Sequence, residues 1–349
     1  MSAAPLVRVE GLSKSFPVTT GWLRRRVARA DVVRQVSFSI TAGEPLALVG
    51  ESGSGKSTIA RLVLRLLKQD RGTVHYRGTD LDSLPERDLR AWRRHAQIVF
   101  QDPLASLNPR LNVREALVAP MHLHRLASSE EDSERQASEL LSKVGLRDEH
   151  LSRYPHELSS GQRQRVSLAR ALAVRPEFLV ADEILSALDA NVQAQIVNLL
   201  IELKAKLGLS YLFISHDLAM VRHLSDRVAV LYAGRIVEIG STARVFSTPR
   251  HPYTEALLAA APRVGHKTAR QPRLIEGEPP SPLELPNGCA FHPRCPLAQE
   301  VCRRKMPELQ MDRYGNSVAC HVRSSTEGDP SPRPTPANDG RSLDRLAPK

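Results

Sequence analysis

At residues 50–57 the chain reads Gly50-Glu51-Ser52-Gly53-Ser54-Gly55-Lys56-Ser57, which fits the pattern G-x-x-x-x-G-K-[ST] at every fixed position. The apolar residues 46–49 before it predict a buried strand, and residues 56–67 predict a helix. Small residues allow backbone N–H groups to turn inward around phosphate oxygens, and the helix directs its positive end at them. We therefore predict a site for nucleotide phosphates, in which Lys56 reaches the β- and γ-phosphates and Ser57 binds Mg²⁺.

Two carboxylates follow a second apolar stretch of the chain. Residues 178–181 predict a buried strand, and Asp182 and Glu183 come directly after it. Beside a phosphate loop, one such carboxylate binds Mg²⁺ through water, and a second polarises the water that attacks the γ-phosphate. We predict these two roles for Asp182 and Glu183, in that order.

Strand-like and helix-like segments alternate over the first two-thirds of the chain. Residues 36–40 and 212–214 predict two more strands, and residues 191–207 predict a long helix. Such alternation is typical of an α/β fold with a parallel sheet. Residues 102–172 are mostly helical in pattern, and we interpret them as a subdomain inserted into the α/β core.

The composition changes after about residue 245. Prolines become frequent, four cysteines appear, and from residue 324 onward the chain is polar and rich in proline. A segment with so little apolar content cannot form a core. We therefore expect a nucleotide-binding domain at 1–245, a small irregular domain with the cysteines at 246–323, and a disordered tail at 324–349.

The overall composition is that of a globular protein with a preference for anions. Of its 349 residues, 41% are hydrophobic and 25% charged, and the net charge of +11 favours nucleotide, nucleic acid or acidic lipid as partners. No run approaches the ~18 apolar residues of a membrane-spanning helix. The N-terminus lacks the pattern of a secretory signal. We therefore expect a cytoplasmic protein that does not cross the membrane by itself.

A further motif identifies a family. Leu158-Ser159-Ser160-Gly161-Gln162-Arg163-Gln164 resembles the signature motif, usually LSGGQ, of the ATP-binding-cassette (ABC) ATPases, and it precedes Asp182 and Glu183 as in that family. Other motifs resemble those of the family in the expected order, namely the adenine-stacking aromatic residue (Phe16), the Q-loop (Gln101), the D-loop (Ser186-Ala187-Leu188-Asp189) and the switch histidine (His216). The chain is therefore identified as a P-loop NTPase of the ABC type, an α/β cassette with an inserted helical subdomain.

The resemblance implies an ATP-hydrolysing site. Glu183, His216 and Gln101 would be catalytic, and Mg²⁺ would be held by Ser57, Gln101 and Asp182. The residues expected to contact ATP are Phe16, Gly50, Glu51, Ser52, Gly53, Ser54, Gly55, Lys56, Ser57, Thr58, Gln101, Ser159, Ser160, Gly161, Gln162, Asp182 and Asp189. In the family, the signature faces the nucleotide held by a second ATPase subunit, so two such chains are needed.

Two positions depart from the family pattern. Ser160 stands where the first glycine of the signature is usual, and Ile184-Leu185 stands where proline and a small residue are usual. Because Asp182 and Glu183 are intact, we expect an active site whose turnover depends on these substitutions.

Three segments resemble the importers of peptides and nickel within this family. They read IVFQDPLASLNPR at 98–110, RYPHE at 153–157 and PRHPYTEALL at 249–258. The resemblance covers residues 5–322 and is strongest to the second ATPase subunit of dipeptide or oligopeptide importers. It implies that the chain powers peptide import, with nickel complexes or opines as alternative cargoes.

The same resemblance implies partners and a location. A second, related ATPase subunit, two membrane permease subunits and an extracytoplasmic solute-binding protein would complete the complex at the cytoplasmic face of the inner membrane. A soluble ABC ATPase acting on nucleic acid is an alternative that the basic charge permits, and an exporter motor is another. An ATPase acting on nucleic acid usually has two cassettes in one chain or a long coiled coil, and an exporter motor is often fused to membrane helices. This sequence shows none of these features. We therefore expect no nucleic-acid partner.

The cysteines have the spacing C-x₅-C-x₆-C-x₁₇-C, with prolines and a glycine between and before them. They are Cys289, Cys295, Cys302 and Cys320. Four thiolates suit either a tetrahedral Zn²⁺ or an iron–sulfur cluster, and four free thiols are the third interpretation. The resemblance to peptide importers favours a [4Fe–4S] cluster with a structural role.

Overall fold

The computed structural model describes residues 4–20, 25–186, 188–260 and 277–323. The predicted tail at 324–349 and Ala187 of the predicted D-loop lie outside these residues. Within them the strands are β1 (Val7–Thr20), β2 (Arg25–Ile40), β3 (Pro45–Val49), β4 (Arg71–Tyr76), β5 (Thr79–Asp80), β6 (Ala96–Val99), β7 (Phe178–Asp182), β8 (Ser210–Ile214), β9 (Arg227–Tyr232), β10 (Arg235–Ser241), β11 (Gln310–Met311) and β12 (Ser317–Val318).

The helices connect these strands. They are α1 (Lys56–Val63), α2 (Glu86–Trp92), α3 (Pro103–Ser106), α4 (Val113–Leu123), α5 (Glu130–Lys143), α6 (Ser160–Leu172), α7 (Ala190–Leu207), α8 (Leu218–Leu224), α9 (Thr242–Ser247), α10 (Pro252–Ala260) and α11 (Glu300–Arg304). Among the described residues, no helix combines the length and the apolar character needed to cross a bilayer.

The larger sheet has the strand order β11-β12-β10-β9-β3-β8-β7-β6. Strand β3 runs parallel to β8 and β9, and β7 runs parallel to β8 and β6, which confirms the predicted α/β fold with a parallel core. Residues of β3, β7 and β8 are buried throughout, as expected for strands covered on both faces. Leu48 and Asp182 both stand in register with Ile214. The carboxyl ends of these three strands therefore meet at one edge of the sheet.

The segment between β6 and β7 is helical, as predicted for the inserted subdomain. Helices α4, α5 and α6 pack on one another, and their apolar faces are fully buried at Leu117, Met121, Leu141 and Val166. Helix α4 begins with a capping box, in which Asn112 and Glu115 bond each other's backbone N–H groups. The helices therefore form a compact unit with its own apolar contacts beside the sheet.

A smaller antiparallel sheet, in the order β2-β1-β4-β5, packs together with α1 against one face of the large sheet. Its inward residues, including Leu12 and Ile40, form a second core with Ile59 and Leu62 of α1. This sheet carries Phe16.

Helix α1 is shorter than predicted. It ends at Val63 rather than Leu67, and Arg65 beyond it has a φ of +51°, a left-handed conformation that stops a helix. Leu64 and Leu67 still pack against the second core. The apolar pattern therefore continues past the end of the helix, which explains why the prediction ran too long.

The segment after residue 245 is largely irregular, yet it is built onto the α/β core. Strand β12 pairs with β10 through Glu238 and Val318, and Tyr253 and Phe291 belong to the main apolar core. The cysteine-containing segment therefore completes one edge of the large sheet.

Candidate nucleotide site

The phosphate loop joins β3 to α1 and depends on three glycines. Gly50, Gly53 and Gly55 have φ values of +155°, +77° and +103°. Residues with a Cβ atom rarely adopt such positive φ values. A Cβ atom on Gly50 would lie 2.2 Å from the carbonyl oxygen of Leu231, and one on Gly55 would lie 2.6 Å from that of Val32. The loop is therefore pressed against neighbouring backbone at both ends.

Lys56 is buried at the first turn of α1. Its Nζ donates to the carbonyl oxygens of Gly50 at 2.8 Å and Glu51 at 3.0 Å, and it lies 3.9 Å from Oε1 of Glu183. Burial lowers the pKa of Lys56, and three nearby carboxylates oppose this shift. The cation is thus held at the centre of the loop.

Ser57 and Asp182 meet across the interface of α1 and β7. The Oγ of Ser57 donates to Oδ1 of Asp182 at 2.9 Å. Burial raises the pKa of the Asp182 carboxyl, and the bond from Ser57 opposes the shift. A hydroxyl and a carboxylate are the oxygen ligands that Mg²⁺ prefers, so these two residues fit the predicted metal role.

Glu183 lies between Lys56 and His216. Its backbone has a φ of +50° and donates a hydrogen bond from its N–H to the carbonyl of Ile214, which ties it to the end of β8. Its Oε2 lies 3.8 Å from Nδ1 of His216, whose side chain is largely exposed. A small cleft of about 60 Å³ is lined by Glu183, Ser215 and His216. The structure therefore brings Glu183 and His216, two of the three predicted catalytic side chains, to one opening.

Gln101 lies just after β6. Its side-chain amide donates to Oγ of Ser186 at 3.3 Å, and Ser186 Oγ donates to the carbonyl of Glu183 at 2.9 Å. This chain of contacts places the predicted Q-loop residue beside the segment that carries Glu183.

The D-loop aspartate, Asp189, caps helix α7. Its Oδ1 accepts a hydrogen bond from the N–H of Val192 at 3.0 Å, a role that the motif alone does not reveal. The departures at Ile184 and Leu185 are both buried in the main core. Larger apolar side chains at these positions therefore add to the packing under the D-loop.

The signature residues form the start of α6. Ser159 and Gln162 make a capping box, in which Ser159 Oγ accepts from the Gln162 N–H at 3.2 Å and Gln162 Oε1 accepts from the Ser159 N–H at 2.9 Å. Ser159 and Ser160 are exposed, whereas Gly161 is buried, and its Cβ would lie 2.7 Å from Cγ1 of Val192. Within the described part of the chain, no side-chain hydrogen bond or ion pair joins this motif to the phosphate loop.

The remaining residues predicted to contact ATP are Ser52, Ser54 and Thr58, in or next to the phosphate loop, and Phe16 on the smaller sheet. Ser52 is exposed, Thr58 is half-buried in α1, and Ser54 is buried, with an Oγ that finds no hydrogen-bond partner among the described residues. Phe16 on β1 is half-buried and belongs to neither apolar core. Its ring lies 5.7 Å from Nζ of Lys14.

Two side chains that the sequence analysis did not single out contact the loop. Tyr253 of α10 and Arg294, which stands between two of the cysteines, both bond to Glu51. For Tyr253 the signal in the sequence is the stretch PRHPYTEALL, which marks the resemblance to peptide importers but does not indicate a site, and for Arg294 it is only the position beside Cys295.

The four cysteines approach one another without a disulfide. Cys302 and Cys320 are buried, and Cys289 and Cys295 are half-buried. Burial raises the pKa of the Cys289 thiol to about 11, and the other three cysteines add to the rise. Among the described residues, however, no group of three or more His, Cys, Asp or Glu side chains is arranged to hold a metal ion. The predicted metal site is therefore not supported. The four thiols lie near one another, but they are not arranged around a single point that a metal ion could occupy.

Two protein families match the chain. Residues 33–186 match the family described as ABC transporter, and residues 237–302 match the family described as oligopeptide/dipeptide transporter, C-terminal region. The first match contains the phosphate loop, the signature and the carboxylate pair. The second contains the segment with Tyr253 and Arg294.

Individual relatives cover nearly the whole chain. A probable peptide ABC transporter ATP-binding protein, y4tS of Sinorhizobium fredii, is 51% identical over 91% of this chain and 90% of its own length. The oligopeptide transport ATP-binding protein AppF of Bacillus subtilis is 44% identical over 91% and 98% of the two chains. Among solved structures, the dimeric post-hydrolysis state of the ATP-binding cassette MJ0796, bound to ADP and Pi, is 29% identical. It covers 68% of this chain and 98% of its own, with a TM-score of 0.60.

Proposed function

The chain belongs to the family of ABC transporter ATP-binding proteins, and on that basis we propose that it hydrolyses ATP to power the import of dipeptides or oligopeptides. The observation that carries this proposal is the meeting of Lys56, Asp182, Glu183 and His216 at the carboxyl ends of β3, β7 and β8. The import of peptides is supported by the named relatives and by the match of residues 237–302.

Each residue of the site has a chemical task that its surroundings permit. Lys56 exchanges the carbonyls of Gly50 and Glu51 for phosphate oxygens, because a buried ammonium prefers a charged partner. Glu183 orients and polarises the attacking water, and His216, whose Nδ1 lies 3.8 Å from Glu183 Oε2, bonds to the transferred phosphoryl group. Ser57 and Asp182 would hold Mg²⁺ together with Gln101, the third ligand that the family resemblance implies, and the ion would neutralise charge on the β- and γ-phosphates.

A second ATPase subunit completes the site in this proposal. The start of α6 exposes Ser159 and Ser160, and the first N–H groups of a helix attract anions. A related chain would present its own signature to the ATP bound here, and the dimeric state of the solved cassette MJ0796 supports such a pairing by analogy. ATP would then hold two chains together, and its hydrolysis would release them.

Membrane subunits and a solute-binding protein are the remaining proposed partners. Since no helix among the described residues is suited to cross a bilayer, two permease subunits would provide the path for the peptide. The chain would then sit at the cytoplasmic face of the inner membrane, and an extracytoplasmic protein would deliver the cargo.

We also propose that the cysteines take up a [4Fe–4S] cluster, with zinc as the alternative. The proximity of the four thiols supports this idea, because four cysteine thiolates are the usual ligands of such a cluster. Binding would require the side chains to move closer together than they stand here. Anaerobic purification with analysis of iron, sulfide and zinc tests it: stoichiometric zinc, or no metal at all, contradicts the cluster.

The central experiment is reconstitution of the chain with its partner subunits in proteoliposomes. We expect the wild-type complex to hydrolyse ATP and take up peptide, and Glu183→Gln and Lys56→Ala to abolish both activities. Glu202→Gln is the matched control for the carboxylate change, because Glu202 lies exposed on α7 and pairs with Lys206 on the same helix. A complex in which Glu183→Gln hydrolyses ATP as fast as Glu202→Gln would refute the proposed site. Uptake of nickel or opine instead of peptide would correct the cargo alone.

A further inference from the structure

The outer side of the phosphate loop is held by the C-terminal segment of the chain. The backbone N–H of Glu51 donates a hydrogen bond of 3.0 Å to Oη of Tyr253. The carboxylate of Glu51 accepts two hydrogen bonds from the guanidinium of Arg294, at 3.1 Å and 3.3 Å. Glu51 occupies a variable position of the phosphate-loop pattern. The N–H of Glu51, a residue predicted to contact ATP, is therefore bonded to Tyr253 in this structure.

These contacts are largely closed to solvent. Tyr253 is fully buried, and the side chains of Arg294 and Glu51 are only 8% and 25% exposed. Arg294 also donates to Oη of Tyr232 at 3.2 Å, and the rings of Tyr232 and Tyr253 lie 4.6 Å apart. Water screens such an ion pair weakly, so it restrains Glu51 more firmly than a surface pair would.

Tyr253 is anchored to the central sheet. The carboxylate of Glu238 on β10 accepts hydrogen bonds from the N–H groups of Arg250 and His251, at 2.9 Å and 2.8 Å. Burial lowers the pKa of His251 to about 3, so the ring is neutral and its Nδ1 accepts the N–H of Tyr253 at 3.1 Å. The stretch HPY thus forms a rigid support that fixes the tyrosine hydroxyl against the loop.

Arg294 is anchored by the cysteine-containing turn. Its N–H donates to the carbonyl of Phe291 at 3.0 Å, and Phe291 is buried in the main core. The turn is tied to α11 by a hydrogen bond of 2.8 Å from the N–H of Cys289 to the carbonyl of Cys302. The guanidinium is therefore presented by fixed backbone and not by a free loop.

We propose that Tyr253 and Arg294 are positioning residues for ATP binding. They fix Glu51, whose carbonyl also accepts from Lys56, and so hold the loop in the shape that receives the phosphates. When the loop is already ordered before ATP binds, less of the binding free energy is lost in ordering it, and the affinity is higher. The inference rests on the proposed ATP-binding function of the loop.

The test uses the full chain assembled with its partner subunits. The affinity for ATP is measured by displacement of a fluorescent ADP analogue, and KM and kcat for ATP are measured on the same samples, together with the melting temperature. The variants are Tyr253→Phe, which removes the acceptor, Arg294→Met, which removes the charge, and Arg294→Lys, which keeps the charge but loses the fork of donors. The controls are Tyr211→Phe, whose buried hydroxyl bonds Leu200, and Arg323→Met, whose guanidinium pairs with Glu255 of α10.

We expect Tyr253→Phe and Arg294→Met to raise the Kd and KM for ATP about tenfold, with kcat at saturation changed by less than about twofold. Arg294→Lys should recover part of the affinity, and both controls should bind ATP as the wild type does. Three results would each overturn the proposal: unchanged ATP affinity in both Tyr253→Phe and Arg294→Met, an equal loss of affinity in the controls, or a fall in kcat at unchanged Kd.

Glu51→Gln keeps the test decisive if a C-terminal variant fails to fold. It weakens the ion pair from the side of the loop and leaves the C-terminal segment intact. In the double variant Glu51→Gln/Arg294→Met, the rise in Kd should be no larger than in the stronger single variant, because both changes remove one contact. Additive effects would refute the coupling. A wild-type complex that binds no ATP at all would instead refute the proposed function itself.

Discussion

Gly50→Ala tests how tightly the phosphate loop is pressed against the sheet. The new Cβ would lie 2.2 Å from the carbonyl oxygen of Leu231 at the end of β9, whereas a carbon–oxygen contact needs about 3.3 Å. Either the loop or the strand must therefore move by about 1 Å. Because both are backbone, no side-chain rotation can relieve the overlap.

Gly53→Ala is the matched control within the same loop. Its φ of +77° also favours glycine, but a Cβ there would meet nothing within 4 Å. The control therefore loses only the backbone contribution of about 1–2 kcal/mol. Gly50→Ala has a comparable backbone cost and adds about 1–3 kcal/mol for the steric overlap.

Thermal unfolding followed by circular dichroism distinguishes the two variants. A difference of 1 kcal/mol shifts the melting temperature by about 2–4 °C in a domain of 150–250 residues, so Gly50→Ala should melt about 5 °C below Gly53→Ala. ATP affinity should fall more in Gly50→Ala, because the shift moves a carbonyl that bonds Lys56. Equal melting temperatures would show that the loop is not confined by β9 and would refute the argument.

Asp70 accepts bonds from Lys14 Nζ and the Ser15 N–H, both at 2.9 Å. Burial raises its pKa, but these bonds outweigh it and lower the pKa to about 2. A carboxyl with a lowered folded pKa stabilises the fold above its unfolded pKa of about 4 and loses that effect as the pH falls towards 2. Asp70→Asn should therefore cost about 1 kcal/mol in urea unfolding at pH 7, a value reduced for solvent screening, and a gap that persists at pH 2 would contradict this origin. Gly161→Ala should lower the free energy of unfolding, because its Cβ would overlap with Val192. The double variant Gly161→Ala/Val192→Ala should therefore lose less stability than the sum of the two single variants. Additive losses in urea unfolding would show that the strain lies elsewhere.

The α/β fold could be predicted from local patterns because its central strands are short, apolar and followed by distinctive residues. The runs before Gly50 and before Asp182 each end at the edge where the site forms, and parallel strands bring such ends together. The length of α1 was less predictable. Leu64 and Leu67 keep an apolar spacing although the backbone has already left the helix at Arg65.

Contacts between distant parts of the chain could not be predicted in the same way. Neither the tyrosine of HPY nor Arg294 has a periodicity or motif that points to Glu51, and only the folded chain brings them together. The capping role of Asp189 was hidden for a different reason, because a D-loop aspartate and an N-cap aspartate have the same letter in the sequence. The spacing of the cysteines predicted proximity, but it carried no information about whether the thiols converge on a common point.

The ion pair between Glu51 and Arg294 joins residues 243 positions apart, and this has a consequence for biosynthesis. A ribosome adding about 5–20 residues per second needs roughly 10–50 seconds to pass from one to the other. During that interval the nascent chain comes to contain every residue of the nucleotide motifs, and later Tyr253, but it lacks the guanidinium that pairs with Glu51. A translation product that stops just before Arg294 would therefore carry the full set of motifs and still lack this restraint.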